Sequence, residues 1–122
     1  MNNLFLVFLG GGLGSIARYG ISELVRQQFK SVFPLATLLS NIISCIVLAL
    51  AVGFFTEKVG NNPTLRILIV VGFCGGFSTF STFSFETVEL FRTGNAVVAI
   101  ANILISVAVC VSFIYFLTKH SI

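Results

Sequence analysis

Charge is what this chain has least of. Asp, Glu, Lys and Arg together make up 9% of its 122 residues, too few to solvate the surface of a compact globule. Histidine is reduced to His120 and no Cys-x-x-Cys occurs, which leaves no side-chain set for a metal cluster. The three cysteines, Cys45, Cys74 and Cys110, are an odd number and each lies inside an apolar run. They read as reduced, buried, small apolar residues rather than as a disulfide framework. No nucleophile–histidine pair and no membrane-embedded carboxylate dyad can be assembled, which sets enzymes aside. The net charge of +3 comes from seven scattered Lys and Arg residues that form no stripe, so nucleic acid is not an expected partner. The N-terminus lacks a basic region and a small-residue cleavage site, and Leu4 onward reads as a retained span.

What the chain has in abundance is apolar length. Hydrophobic residues make up 57% and the mean hydropathy is +1.06, which predicts an integral membrane protein facing lipid over most of its surface. At 1.5 Å per helical residue the apolar runs predict an all-α fold with four transmembrane helices, over residues 3–28, 34–55, 64–92 and 95–118. A polar turn from Glu57 to Pro63 carries the breakers Gly60, Asn61 and Asn62. No internal repeat divides the chain, and residues 1–122 read as a single membrane domain. Four spans put both termini on one side, with Lys58, Arg66 and Lys119 there and Arg26, Lys30 and Arg92 opposite. Three against three predicts a weak orientation preference, hence dual topology. Four short helices rarely enclose a polar path alone, so an antiparallel homodimer is the expected assembly, with the glycine stripes and polar faces as its contacts.

Within the first span, Gly10 and Gly14 form a small-x-x-x-small pair that admits a close neighbour, and Gly11 with Ser15 repeats the spacing. Gly12, Gly14 and Ala17 also match a dinucleotide-binding pattern, but that fingerprint needs a preceding strand and a βαβ unit, which a membrane span does not offer. Arg18 costs about 2.5–3.5 kcal/mol if it reaches the centre of the membrane, so it either snorkels to the interface or supplies a fixed positive charge beside an aqueous vestibule. In the second span, i, i+4 spacing puts Thr37, Asn41 and Cys45 on one face. A bare amide in hydrocarbon needs partners, and Asn41 serves either as interhelical glue or as pore lining. The fourth span carries a polar line at Asn95, Asn102, Ser106 and Cys110.

The stretch from Gly72 to Glu86 organises the rest. Gly75 and Gly76 predict a break in the third helix near mid-membrane, where free backbone groups are tolerated only if protein buries them or they line a cavity. A helix broken from Gly75 to Ser78 leaves carbonyls at the end of one half and amides at the start of the next, and the first end attracts cations, the second anions. If two antiparallel subunits meet at their breaks, two carbonyls from each can surround one small cation that is held rather than transported. Phe80 and Phe83 offer positive ring edges to a bare anion, where in isolation they would simply pack or face lipid. Thr79, Ser81 and Thr82 add hydroxyl donors and Asn41 adds amide donors, together replacing a hydration shell in a narrow path.

With those residues in view, the chain resembles the Fluc/CrcB family of fluoride channels over essentially its whole length. The resemblance is carried by Gly-Gly-Gly-Leu-Gly-Ser-Ile-Ala-Arg-Tyr at 10–19, by Asn41, and by Gly-Phe-Cys-Gly-Gly-Phe-Ser-Thr-Phe-Ser-Thr-Phe-Ser-Phe-Glu at 72–86. It implies passive fluoride efflux through two pores of a dual-topology homodimer in the bacterial inner membrane, and hence fluoride resistance. It also implies a central structural Na⁺ held by the backbone carbonyls of Gly75 and Ser78. By motif position Phe80 and Phe83 are the paired rings facing the ion, Asn41 is the conduction-critical asparagine, Ser81 and Thr82 are central hydroxyls, and Arg18 is the vestibule charge. Glu86 matches the acid after the Phe motif. Asn102 and Ser106 are the fourth-span candidates, and Cys110, where some relatives carry a hydroxyl, is left out of the site. The rival readings are a proton-coupled small multidrug exporter, which looks for a carboxylate deep in the first span where this chain has only Glu23 near the end, and a structural membrane subunit without transport.

Overall fold

The computed structural model of the protein describes residues 2–30, 32–54 and 62–119. Phe55 at the end of the second span, Glu57, Lys58, Gly60 and Asn61 of the polar turn, and His120 lie outside the described residues. Among the described residues four stretches are long and apolar enough to cross a membrane: Asn3–Gln28, Leu35–Gly53, Pro63–Arg92 and Ala96–Thr118. We label them α1 (Asn3–Gln28), α2 (Leu35–Ala49, prolonged by a wide π-helical turn, Leu50–Phe54), α3 (63–77), α4 (Phe80–Arg92) and α5 (Ala96–Thr118). The third span is thus two helices, α3 and α4. Within α3 an α-helical start, Pro63–Arg66, passes into a π-helical stretch, Ile67–Cys74, and back to α-helix at Gly75–Phe77.

Local chemistry sets the helix ends. The side chain of Asn2 caps α1 by accepting from the Leu4 amide at 2.8 Å, and Asn62 caps α3 through the Thr64 amide at 3.0 Å, with Pro63 inside the first turn where its missing N–H costs nothing. Helix α4 stops in a Schellman arrangement: Asn95 N–H donates to Leu90 C=O at 2.8 Å and Gly94 N–H to Phe91 C=O at 3.3 Å. The motif requires a left-handed residue, and Gly94 supplies it at φ 83°.

Glycines decide how α1 meets α3. A Cβ placed on Gly14 would stand 2.8 Å from the Phe77 amide nitrogen, and one on Gly72 would stand 3.0 Å from the Cα of Gly10. The close neighbour admitted by Gly10 and Gly14 is therefore the third span of the same chain, backbone against backbone. On the other side α2 packs against α5, and α4 against α5.

Burial is inverted relative to a soluble protein. Leu4, Phe8, Phe80 and Val97 are each at least three-quarters exposed, while Ser40, Ser44, Thr37, Asn102 and Ser106 are buried. Lipid tails are as apolar as Leu, so nothing drives large apolar side chains inward; small residues that pack closely and polar residues that pair take the interior instead.

Candidate functional site

The break expected from Gly75 to Ser78 is narrowed by the geometry. Gly75 and Gly76 are helical, Gly75 at φ −63°, ψ −37°, and the interruption falls on Ser78 (φ −80°, ψ 158°) and Thr79 (φ −149°, ψ 118°). The reason is where partners stand. Gly76 is needed for contact, since a Cβ there would lie 3.0 Å from the Cα of Gly11. The extended residues lie opposite Asn41, whose Oδ1 accepts from the Thr79 amide at 2.8 Å and whose Nδ2 donates to the Thr79 carbonyl at 3.4 Å. One side-chain amide thus satisfies both backbone groups of Thr79, as a neighbouring strand would. Thr79 then caps α4, its Oγ1 accepting from the Thr82 amide at 3.1 Å.

Donors gather on one carbonyl at the end of α3. Cys74 C=O accepts from Ser78 N–H at 3.0 Å, from Ser78 Oγ at 2.8 Å and from Ser44 Oγ at 3.0 Å. Arg18 Nε donates to Gly76 C=O at 3.2 Å, placing a guanidinium on the negative end of α3. Because Ser78 N–H goes to Cys74 and Thr79 N–H to Asn41, the carbonyls of Gly75 and Ser78 have no hydrogen-bond donor among the described residues.

Beside the interruption lies a cavity of about 300 Å³ open on one side. Asn41, Ser78, Thr79, Phe80, Phe83 and Ser106 line it, together with Cys45, Cys110, Val107 and Val111. The Phe80 and Phe83 rings sit 5.8 Å apart between centroids and are tilted by 41°. Phe80 is 79% exposed, so this wall of the cavity is incomplete within one chain.

The other sequence candidates stand nearby but in different roles. Ser81 is exposed, with its hydroxyl 3.4 Å from Thr79 Oγ1, and neither Ser81 nor Thr82 belongs to the lining. Asn102 is buried behind the lining, donating to Thr87 Oγ1 at 3.0 Å and accepting from Ser106 Oγ at 3.2 Å. Glu86 faces a separate cavity of about 160 Å³ shared with Arg26, Phe33 and Pro34, and its Oε1 is buried with no hydrogen-bond partner among the described residues. Glu23 is paired with Arg26 at 3.2 Å near the end of α1, away from the apolar part of the span.

Sequence comparison supplies the relatives. The profile of the family described as CrcB-like protein, Camphor Resistance (CrcB), matches residues 5–117. The chain belongs to the CrcB-like family. A protein of Coxiella burnetii (strain CbuK_Q154) named fluoride-specific ion channel FluC is 41% identical over 111 residues, 90% of each chain. Proteins of the same name from Geobacter sp. (strain M21) and Serratia proteamaculans (strain 568) are 42% and 40% identical, covering 92% and 88% of this chain and 90% and 84% of their own. These relatives are named as ion channels, not as enzymes. With four membrane-crossing helices, this CrcB-family chain is a multi-pass membrane protein.

Two features of the cavity and its surroundings are not legible in the sequence pattern alone. Ser44 was visible only as one of several polar residues in α2; its partner, the Cys74 carbonyl, lies 30 positions away. Cys110, left out of the expected site, lines the cavity together with Cys45. The signal for both thiols was spacing: Cys45 follows Asn41, and Cys110 follows Ser106, by four residues.

Proposed function

We propose that this chain is a fluoride-selective channel through which fluoride leaves a bacterial cell passively across the inner membrane. The observation that carries the reading is the Phe80–Phe83 pair beside a helix interruption pinned by Asn41, lining a cavity with one wall missing. The names of the relatives point to the same ion. A second, antiparallel copy completes the open wall and gives two pathways per dimer.

The chemistry follows from the donors present. Fluoride leaving water needs replacements for its hydration shell, and the second Nδ2 hydrogen of Asn41 and the positive edges of Phe80 and Phe83 supply them, with Ser106 lining the path while its hydroxyl donates to Asn102 Oδ1. Ser81 and Thr82 extend the polar track along α4, and Asn102 holds Ser106 from behind the lining. Arg18 raises the anion concentration near the end of α3. The unpartnered carbonyls of Gly75 and Ser78 fit a small hard cation such as Na⁺, four oxygens coming from two copies. Bound there, Na⁺ would supply charge that holds the two interruptions together.

The test is release of ions from liposomes containing the purified protein, loaded with fluoride and chloride and recorded with electrodes after addition of a K⁺ ionophore. Rapid fluoride release with chloride retained is the expected result. Retention of fluoride by liposomes shown to contain inserted dimer would sink the channel reading.

A further inference from the structure

Two thiols stand in the cavity wall beside the residues assigned to the anion. Cys45 lies one turn beyond Asn41 on α2 and Cys110 one turn beyond Ser106 on α5, and the packing of these helices brings both to the same lining. Their side chains lie close enough to interact across the shared lining. Both are free cysteines and partly exposed, whereas Cys74 is free but buried. No group of three or more His, Cys, Asp or Glu stands together among the described residues, so the site lacks the four-ligand set that zinc takes. Two sulfurs with no third Cys, His, Asp or Glu beside them suit soft cations content with two ligands, such as Cu⁺ and Ag⁺.

We propose that Cys45 and Cys110 form a two-thiol site for a soft monovalent cation in the wall of the ion pathway, and that its occupancy stops anion passage. Binding forms two metal–sulfur bonds and releases two thiol protons to water, with no change of oxidation state. The product, one cation between two thiolates, carries a net negative charge. It stands one helical turn from Asn41 and Ser106, where it repels an anion and ties α2 to α5.

The blocking half of the proposal rests on the channel reading; the binding half does not, and the two are measured separately. Purified protein is incubated with Ag⁺ in chloride-free buffer containing excess of a monothiol competitor, which strips adducts of single cysteines, and retained metal is counted by native mass spectrometry. One Ag⁺ per chain is expected in the parent and in Cys74→Ser, with loss in Cys45→Ser and in Cys110→Ser. A parent that retains none, or a Cys45→Ser, Cys110→Ser double variant that retains as much, overturns the site. In liposomes, Ag⁺ is expected to stop fluoride release by the parent and by Cys74→Ser, while each single variant keeps its own rate. Continued release from metal-loaded parent overturns the block. Absence of release before any metal is added counts against the channel reading alone, and the retained-metal count still decides the site.

Discussion

The two sides of the third span are built on opposite principles. Where α3 crosses α1, Gly10, Gly14, Gly72 and Gly76 let two backbones touch, and contact itself is the main glue, with Arg18 to Gly76 as a hydrogen bond at one end. Where the span faces α2 and α5, the contacts are hydrogen bonds at chosen points, Asn41 to Thr79, Ser44 to Cys74 and Asn102 to Thr87, with a cavity left between them. The first arrangement leaves no room for a ligand and tolerates no added atom. The second keeps space open by spending polar groups on fixing the helices around it. A membrane protein needs both, because lipid offers no hydrophobic force to press helices together.

The harshest way to break this contrast is to add one methyl group to the glycine seam. Gly14→Ala puts a Cβ against backbone atoms of Phe73 and Phe77, which cannot swing away, and is expected to cost about 1–3 kcal/mol by overpacking. Size-exclusion yield and thermal unfolding in detergent should both fall. Gly12→Ala, two residues away with nothing within 4 Å, should be neutral or slightly stabilising, since Ala is the better helix former by about 1 kcal/mol. Equal damage from both substitutions would mean that close contact is not what holds the seam.

On the polar side, Asn41→Leu removes both partners of the Thr79 backbone, and each buried group left unpaired costs about 1–3 kcal/mol. Fluoride release should be largely lost along with some stability. Asn41→Asp sharpens the point: its carboxylate still accepts from Thr79 N–H, so folding should suffer less than with Leu, while a negative charge in an anion path should still stop release. If Asp conducts as well as Asn, the residue only positions the interruption.

Phe80→Ile separates lining from packing. With Phe80 79% exposed, folded yield should hold, but fluoride release should fall because an aliphatic chain has no positive edge. The smallest effect is expected from Asn102→Ala, which cuts the Thr87–Asn102–Ser106 chain behind the cavity. Interhelical hydrogen bonds of this kind average about 0.6 kcal/mol in membranes, so unfolding should shift slightly and release should persist. Loss of release as complete as in Asn41→Leu would instead move Asn102 into the pathway itself.

How far the site was legible differs from residue to residue. The Phe80 and Phe83 spacing and the nearby hydroxyls could be read directly, because i, i+3 neighbours on a helix share a face without help from the rest of the chain. The interruption is legible as the region from Gly75 to Ser78 but begins too early there, since glycine marks freedom to bend and equally marks close contact, and only the position of Gly11 tells the two apart. Asn41 stood open between glue and lining; it bonds the Thr79 backbone and also faces the cavity. Cys110 looked inert because its neighbour, Cys45, belongs to another helix.

By itself the sequence determined that this is a helical membrane protein with four crossings, because hydropathy and span length depend on composition alone and the bilayer acts as a uniform solvent for them. Only the tertiary structure decided that the glycines of α1 receive α3, that the helix opens at Ser78 and Thr79, and that two thiols meet. Those outcomes rest on contacts such as Asn41 with Thr79 and Arg18 with Gly76, 38 and 58 positions apart, and no local pattern encodes which distant residue will be opposite.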